Sequence, residues 1–207
     1  ITIGIFSVIS VFTVFDSLQH NIKSEINSLG NNVLFIQKWP WAMGGNYPWW
    51  KYYQRPQPKI GELKEILKRS NTVEDGTFMF AVQRNVYYRN NSVESIPVVA
   101  VSYDYNKVMP FDLQSGRYFT EIESKAGRNV AIIGANIAQN LFPNKIVIGK
   151  KIKLFGRKLN VIGVIKKKGE DMFGNSPDDQ IIVPANFAST VVDWRHINSS
   201  IIVQAKP

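Results

Sequence analysis

Cysteine is absent from the 207-residue sequence, and only two histidines occur, His20 and His196. The absence of cysteine excludes disulfide bridges, thiolate zinc sites and cysteine nucleophiles, and it is compatible with an oxidising compartment. Two histidines are too few for a multi-histidine metal centre. The sequence therefore predicts a protein without catalytic residues, without a metal site and without a cofactor of its own.

A phosphate-binding loop is also missing. Such a loop combines an early glycine with a final Gly-Lys-Ser/Thr, because its amides and its lysine hold the phosphates and its hydroxyl holds the magnesium ion. The nearest match, Gly149-Lys150-Lys151, has neither the upstream glycine nor the hydroxyl. Any ATP hydrolysis linked to this protein is therefore expected on a separate chain or domain.

What the sequence does contain is apolar content and positive charge. Hydrophobic residues make up 44% of the chain, which is enough to bury a core in one large domain or two small ones. Lysine and arginine number 25 against 16 acidic residues, for a formal charge of +9. This excess favours an anionic partner, whether nucleic acid, an acidic protein or phospholipid head groups.

The first 29 residues combine an apolar run with an amphipathic helix. Residues 1–15, "ITIGIFSVISVFTVF", carry no charge but are shorter than the ~20 residues that cross a bilayer. Taken alone, the run suits a buried strand or core helix as well as it suits part of a membrane span. The following residues place one apolar stripe on a helix that ends at Gly30, formed by Leu18, Ile22, Ile26 and Leu29. No turn separates the two parts, so we predict one helix, with 1–15 as the end of a transmembrane helix and 16–29 as a lever emerging into water.

The central part of the chain predicts a sheet covered by a helix. "NNVLFIQK" predicts a strand at 33–38, and Ile60, Leu63, Ile66 and Leu67 predict a helix after Pro58. Three strands are expected at 77–83, 84–89 and 95–102, with an Asn-Asn-Ser turn between the last two. A helix followed by several strands is typical of an α+β fold.

Shorter units follow after Tyr105. We predict a turn at Ser115-Gly116, a strand at 130–133 that leads into a helix ending at Phe142, and a hairpin with its turn at Gly156-Arg157. Gly163 interrupts the alternation of the returning strand and indicates a bulge. "QIIVPANFASTVV" predicts a strand running into a short helix, and "SSIIVQA" a closing strand.

The stretch "WPWAMGGNYPWWKYY" at 39–53 is the first candidate interface, since it has neither helical nor strand periodicity. Its aromatic residues are Trp39, Trp41, Tyr47, Trp49, Trp50, Tyr52 and Tyr53. Such residues anchor protein interfaces and also concentrate at membrane surfaces. Three interpretations stay open: a loop packed over the sheet, a contact with a partner or substrate, and a lipid interface.

The second candidate is a basic patch on the predicted hairpin. It consists of Lys150, Lys151, Lys153, Arg157, Lys158, Lys166, Lys167 and Lys168. It is either a solvated surface or a contact for an anionic partner or lipid head groups. Nucleic acid is not expected there, because Phe155 is the only aromatic residue beside the patch in sequence. Asp178 and Asp179, with Glu170 and Asp171 nearby, have the oxygen ligands of a divalent cation site, but their spacing does not match a calcium loop, which favours a solvated acidic loop.

Five segments in order resemble a known family. They are "SLGNNVLFIQ" (28–37), "LQSGRYFTEIE" (113–123), "NVAIIGANIAQNLF" (129–142), "IGKKIKLFGRKLNVIGVIKKKG" (148–169) and "DDQIIVPANFAS" (178–189). Together they resemble the periplasmic core domain of MacB-like ABC transporter permeases, in the FtsX-like permease family. The resemblance extends over nearly the whole chain.

The resemblance implies an architecture. It assigns 16–104 and 181–207 to a discontinuous porter-like α/β subdomain, and 105–180 to a smaller, mostly β, sabre-like subdomain. Family members continue past the final strand with a further helix and strand, which implies that the porter-like part is incomplete at Pro207. The aromatic stretch is longer and richer than the corresponding linker of the family.

The resemblance also implies a function. Such permeases sit in the inner membrane with this domain on the periplasmic side, and they transmit ATP-driven motion outwards during efflux. The implied partners are a cytoplasmic ATPase subunit, a second permease in a homodimer or heterodimer, and in some members a periplasmic adaptor with an outer-membrane duct. From the residues alone, a membrane-anchored module that binds glycans or peptides through the tryptophan-rich loop is the alternative. A membrane-anchored hydrolase is the third hypothesis, and it has no nucleophile motif to support it.

Overall fold

A computed structural model of the chain describes residues 11–13, 15, 17, 32–40, 50–143, 146–169 and 176–206. The chain divides into two compact units, Ile1–Asn31 and Asn32–Pro207. In the first unit the described residues, 11–13, 15 and 17, are helical. The lever residues Leu18, Ile22, Ile26 and Leu29 lie outside the described residues. Within the described part of the chain, no helix has the length and apolar content needed to cross a membrane.

The second unit combines nine strands with short helices. The strands are β1 (Val33–Gln37), β2 (Val73–Tyr88), β3 (Asn91–Val101), β4 (Leu113–Gly116), β5 (Val130–Ile133), β6 (Lys151–Leu154), β7 (Arg157–Ile165), β8 (Ile181–Pro184) and β9 (Ser199–Ala205). The α-helices are α1 (Trp50–Tyr53), α2 (Ile60–Arg69), α3 (Tyr105–Val108), α4 (Glu121–Lys125), α5 (Ala135–Leu141) and α6 (Ala185–Ala188). Single 3₁₀ turns occur at Pro177–Asp179 and Trp194–His196.

All nine strands belong to one mixed sheet. Its order is β1-β9-β2-β3-β8-β5-β7-β4, and β6 pairs with both β2 and β7 off this path. The pairs β3–β8 and β5–β7 are parallel, and the remaining pairs are antiparallel. The sheet dominates the unit and confirms a mixed α and β fold.

Several predicted elements are confirmed. The first strand, the helix beginning at Ile60, the strand at 130–133 with its following helix, and the strand-to-helix unit at Ile181 all form. In the helix at Ile60, Leu63 is buried against the sheet, whereas Leu67 is partly exposed. The predicted bulge forms beside Gly163, because the pairing of β7 with β5 passes from Val161 to Gly163 and leaves Ile162 as the extra residue.

The three strands predicted at 77–102 are wrong in number. Residues 73–88 form one continuous strand, and its pairing with β3 shifts register between Arg84 and Val86. A bulge of this kind bends a strand without ending it. The turn to β3 is formed by Arg89 and Asn90, one position earlier than the predicted Asn-Asn-Ser turn.

Two predicted turns are also displaced. Ser115 and Gly116 belong to β4, which pairs with β7 at the edge of the sheet. Gly116 has φ of +84°, and a side chain there would collide with the backbone of Ile162. The hairpin turn is Phe155-Gly156, both with positive φ, and Arg157 already begins β7. Positive φ at both central positions is the pattern of a type I′ turn.

Hydrophobic clusters cover the two faces of the sheet. The larger cluster packs Phe78, Phe80, Val98 and Ile181 with the buried faces of α2, α5 and α6. The smaller cluster contains Val101, Tyr105, Phe119 and Ile182 on the other face. Residues from 105–180 enter both clusters. The pairs β5–β8 and β2–β6 therefore join the proposed subdomain ranges within one sheet, and the subdomain boundaries stay a prediction.

Candidate functional site

The described part of the aromatic stretch begins with Trp39, two residues after β1. Its Nε1 donates to Oδ1 of Asn198 at 3.0 Å, and Nε2 of Gln57 donates to the same oxygen at 3.0 Å. Asn198 immediately precedes β9. One amide oxygen therefore ties the end of β1, the segment before α2 and the start of β9 together.

Ser199 extends this contact into the interior. It is buried, and its hydroxyl donates to the carbonyl of Pro58 at 2.7 Å. Its backbone N–H donates to Oε1 of Gln57 at 3.4 Å. We call Trp39, Gln57, Asn198 and Ser199 the latch. The bonds of Trp39 within the latch favour, for this residue, the interpretation of the aromatic stretch as a packed loop.

The other described aromatic residues of the stretch lie on or next to α1. Trp50 and Tyr53 are 62% and 66% exposed. Lys38 Nζ lies 5.4 Å from the ring centroids of both Trp39 and Tyr53, and the Arg55 guanidinium lies 4.4 Å from the Tyr52 ring. Trp41, Tyr47 and Trp49 lie outside the described residues. Cation–π contacts within the chain thus engage three of these rings.

A shallow cavity lies beside the latch. Its volume is about 270 Å³, and its lining is Phe35, Gln37, Trp39, Pro40 and Arg55. The cavity combines two aromatic rings with one guanidinium and one amide. This composition suits a small polar ligand or a peptide side chain.

The two ends of the second unit lie side by side. β1 pairs antiparallel with β9 along its whole length, from Val33 opposite Gln204 to Gln37 opposite Ser200. The N–H of Ala205 donates to the carbonyl of Asn32 at 2.9 Å. Asn32 and Ala205, near the two ends of the unit, therefore lie side by side at one edge of the sheet.

The structure divides the predicted basic patch into two groups. Lys151 and Lys153 on β6 alternate with buried Ile152 and Leu154, so their side chains point to solvent. Lys153 lies directly opposite Lys158 of β7. Lys150 and Arg157, which are also exposed, flank these strands.

The second group, Lys166–Lys168, follows the other end of β7. Lys158 and Lys166 are eight residues apart on an extended chain, which corresponds to roughly 25 Å. The backbone N–H groups of Lys168 and Gly169 donate to the carboxylate of Asp178, at 3.0 and 2.9 Å. The structure therefore does not bring these lysines together with the hairpin lysines.

A tyrosine that sequence reasoning missed joins the first group. Tyr87 of β2 pairs with Ser92 of β3 on one side and with Lys153 of β6 on the other. Directly paired residues point to the same face of a sheet. The row Ser92, Tyr87, Lys153, Lys158 therefore crosses four strands on one exposed face. No signal in the sequence places Tyr87 there, because it lies 66 positions from Lys153 and the pairing is non-local.

The predicted solvated acidic loop is wrong for Asp178. This residue is only 1% exposed, and its carboxylate accepts backbone hydrogen bonds from Lys168 and Gly169. Its own carbonyl lies so close to Gly134 that any side chain at position 134 would collide with it. Asp178 anchors a loop. Asp179 is exposed and accepts from the Asn136 amide at 3.0 Å, and Glu170 and Asp171 lie outside the described residues.

Arg117 and Glu123 form a fork at the start of α4. Both guanidinium NH groups donate to the carboxylate at 2.7 Å, and the Thr120 N–H donates to it at 2.8 Å. The Thr120 hydroxyl accepts from the N–H of Glu123, which completes a capping box. Hydrogen bonding to Arg117 lowers the pKa of Glu123 from 4.5 to about 2.

A cluster of tyrosines lies beneath this fork. Burial raises the pKa of Tyr105 to about 12, and burial also raises the pKa of Tyr118. The backbone of Asn106 lies near enough to Tyr118 to favour its ionised form slightly, but no hydrogen bond of ordinary geometry reaches the Tyr118 hydroxyl among the described residues. These phenols stay protonated at neutral pH and serve as packing residues.

Groups of three or more acidic, histidine or cysteine side chains that could hold a metal do not occur within the described ranges. The arrangements that remain are polar contacts, a shallow cavity and an exposed basic row.

The whole chain, residues 1–207, matches the family model of the MacB-like periplasmic core domain. The macrolide export ATP-binding/permease protein MacB of Neisseria gonorrhoeae is 32% identical over 180 residues, which cover 85% of this chain and 26% of that protein. The MacB protein of Bdellovibrio bacteriovorus is 25% identical over 206 residues, which cover 100% of this chain and 31% of that protein. The chain thus spans between about a quarter and a third of the length of these relatives.

Solved structures share the fold. The periplasmic region of MacB from Actinobacillus actinomycetemcomitans aligns with a TM-score of 0.69 and 18% identity, covering 87% of this chain and 78% of that one. The extracellular domain of the ABC-type transporter YknZ from Gram-positive bacteria aligns with a TM-score of 0.60 and 23% identity, covering 73% of this chain and 81% of that one. The protein belongs to the MacB-like periplasmic core domain family.

Proposed function

We propose that this chain is the extracytoplasmic domain of an ABC-type efflux or export permease, on the periplasmic side of the inner membrane. ATP hydrolysis by a cytoplasmic ATPase, on a separate chain or domain, drives a conformational change in it. A second permease copy, identical or related, completes the transporter, and a periplasmic adaptor with an outer-membrane duct is a further partner. The domain transmits force and handles a partner or substrate, and it carries no catalytic residues.

The observation that carries this proposal is the pairing of β1 with β9. Because Asn32 and Ala205 are hydrogen-bonded neighbours, the segments before and after the unit act on the same edge of the sheet. β9 also pairs with β2 over seven positions, from Val73 to Phe80. A displacement applied at this edge is passed directly into the longest strand of the sheet.

The latch stiffens that edge. Asn198 accepts from Trp39 and from Gln57, so the end of β1 cannot move relative to the start of β9 without breaking the Trp39 contact, and the segment before α2 is held to the same oxygen. Interior packing is close and resists gradual deformation. The latch and the β1–β9 ladder therefore favour movement of the edge as one body.

The test of this proposal concerns the predicted lever, residues 16–29. Ser24 lies near the middle of this range in the sequence. In the complete transporter, Ser24→Pro should abolish most transport, because proline removes a helix hydrogen bond and collides with the preceding turn. Ser24→Ala is the matched control and should transport normally, since alanine is a good helix former. Export of a reporter substrate and the ATPase rate are measured in the same membrane vesicles.

Undiminished export by the Ser24→Pro variant would refute the lever. ATP hydrolysis by the purified 207-residue chain would refute the placement of the ATPase elsewhere. A variant that hydrolyses ATP but does not export would match the proposed uncoupling.

A second candidate function is a membrane-anchored module that binds glycans or peptides. The cavity beside Trp39, with the exposed rings of Trp50 and Tyr53 nearby in sequence, favours it. Tryptophan fluorescence is titrated with oligosaccharides and short peptides. A saturable response that Trp39→Phe removes supports the module, whereas the force-transmitting function expects no strong response to small ligands.

A further inference from the structure

The row formed by Ser92, Tyr87, Lys153 and Lys158 is an exposed surface that the proposed force path does not use. It lies on the face of the sheet opposite the larger core cluster, since the neighbours Val86, Ile152, Leu154 and Leu159 point into that cluster. We call it the basic row. Adjacent strands are ~4.8 Å apart, so the row extends over roughly 15 Å.

Positive charge in this region is almost uncompensated. Residues 84–94 and 151–160 hold six basic residues and one acidic residue, Glu94. Among the described residues, neither Lys153 nor Lys158 takes part in an ion pair. The five ion pairs of the described chain all lie elsewhere. The lysines of the row are therefore available to an external anion.

The facing lysines work against the fold. Lys153 and Lys158 are direct cross-strand partners, and like charges in that position destabilise a sheet. Replacing one of them with an acidic residue would turn the repulsion into attraction.

Tyr87 gives the row a donor and an apolar body. It is 44% exposed, and its hydroxyl accepts from Nδ2 of Asn85 at 3.5 Å. The orientation of Asn85 is set by the N–H of Ser95, which donates to its Oδ1 at 2.9 Å. The Tyr87 proton is thus left to donate outwards, between the Ser92 hydroxyl on one side and the Lys153 ammonium group on the other.

The position of the basic row favours a protein over a membrane as its binding partner. Both ends of the unit lie near Val73, where β2 begins and pairs with Ala205. Tyr87 is fourteen residues further along β2, which is roughly 45 Å. The apolar residues beside the row in sequence point inwards, so within the row Tyr87 alone offers an apolar body to a bilayer.

We propose that the basic row binds an acidic segment of a partner protein, with carboxylates at Lys153 and Lys158 and at the Tyr87 hydroxyl. This inference rests on the proposed function, which supplies a protein partner and places the membrane on the side of the two ends of the unit. Charge complementarity of this kind fixes orientation and speeds association.

Binding of the 207-residue chain to an oligoglutamate peptide tests the proposal, with an oligoglutamine peptide as the neutral probe. K153E/K158E should weaken oligoglutamate binding by about tenfold or more, and Tyr87→Phe by about threefold. K166E/K167E changes the net charge by the same amount at the other end of β7, and it should weaken binding by less than about threefold. Thermal unfolding of each variant verifies that the fold is intact.

Equal weakening by the two double variants would overturn the proposal, because net charge alone would then explain binding. Vesicles of phosphatidylcholine with phosphatidylglycerol form the second arm. If only vesicle binding depends on Lys153 and Lys158, the occupant is an anionic bilayer and the proposal is wrong. Neither result bears on the proposed coupling of ATP hydrolysis to transport. The result with the Ser24→Pro variant, in turn, does not bear on the proposed binding by the basic row.

Discussion

The Arg117–Glu123 fork and the Lys153–Lys158 pair are both charged pairs at the protein surface, but they differ in the signs of the charges that they bring together. The fork joins opposite charges through two hydrogen bonds of 2.7 Å and caps a helix. The lysine pair sets two like charges directly across a hairpin. The first arrangement stabilises the fold and the second works against it, in agreement with the proposal that the lysines bind an acidic segment.

Removing the fork should have the largest effect on stability. Glu123→Gln keeps one acceptor oxygen but loses the charge-assisted bonds, and we expect a loss of about 2 kcal/mol at pH 7. The full pKa shift corresponds to about 3 kcal/mol, but Arg117 is 53% exposed and solvent screens the pair. Urea unfolding measures the difference.

The pH dependence follows from the lowered pKa of Glu123. The stabilisation is complete above pH 4.5 and is lost as the pH falls through about 2, since the unfolded state then binds the proton more readily. The stability gap between wild type and Glu123→Gln should therefore narrow below pH 4.5. Glu121→Gln on the same helix, whose partner Lys125 is exposed, is the control and should cost much less. An equal loss in both variants would contradict the special role of the fork.

Reversing the charge of one lysine should have a smaller effect on stability, and one in the opposite direction. Lys153→Glu places opposite charges across the hairpin, so the free energy of unfolding should rise by roughly 0.5 kcal/mol. Chemical denaturation of wild type, Lys153→Glu and Lys167→Glu separates the local effect from the change in net charge. A loss of stability in Lys153→Glu would show that the lysine supports the fold after all.

Salt should produce the smallest effect. Screening weakens repulsion between exposed charges, so added NaCl should raise the stability of wild type by a few tenths of a kcal/mol at this site. The same salt should lower or leave unchanged the stability of Lys153→Glu. Parallel salt responses in the two proteins would place the lysines too far apart to interact.

Local patterns predicted the short elements well. β5 with its following helix and the β8 strand with α6 were foreseen from an apolar run that meets Gly134 or Pro184. Their signals are contained within a dozen residues. The family resemblance likewise came from five short segments, and the family model confirms it.

Features that depend on distant partners were not foreseen. The polar run Gln83–Asn85 resembles the end of a strand, yet pairing with β3 carries β2 through it as a bulge. Ser115 and Gly116 resemble a turn, but β7 holds them as an edge strand. Both errors have one cause: hydrogen bonds to a remote strand override local propensity.

The candidate site likewise combines residues that the sequence predicts with residues that only the fold brings together. The lysines of the hairpin were identified from sequence, whereas Tyr87 was not, because β2 reaches β6 only through the fold. Asp178 looked like part of a solvated acidic run, but its carboxylate holds the backbone of Lys168 and Gly169. A count of charged residues gives the sign of the net surface charge. Only tertiary contacts identify which charged side chains already have partners within the protein.

The hydrogen bond between Asn32 and Ala205 bears on how such a domain can be inserted into another protein during evolution. Paired antiparallel neighbours have Cα atoms roughly 5 Å apart, which is close to the spacing of two residues in a tight loop. A unit with adjacent ends can be spliced into a loop of a host protein without separating the host segments on either side. The fold is therefore suited to circular permutation and to exchange as a cassette, and its permuted form should retain the sheet.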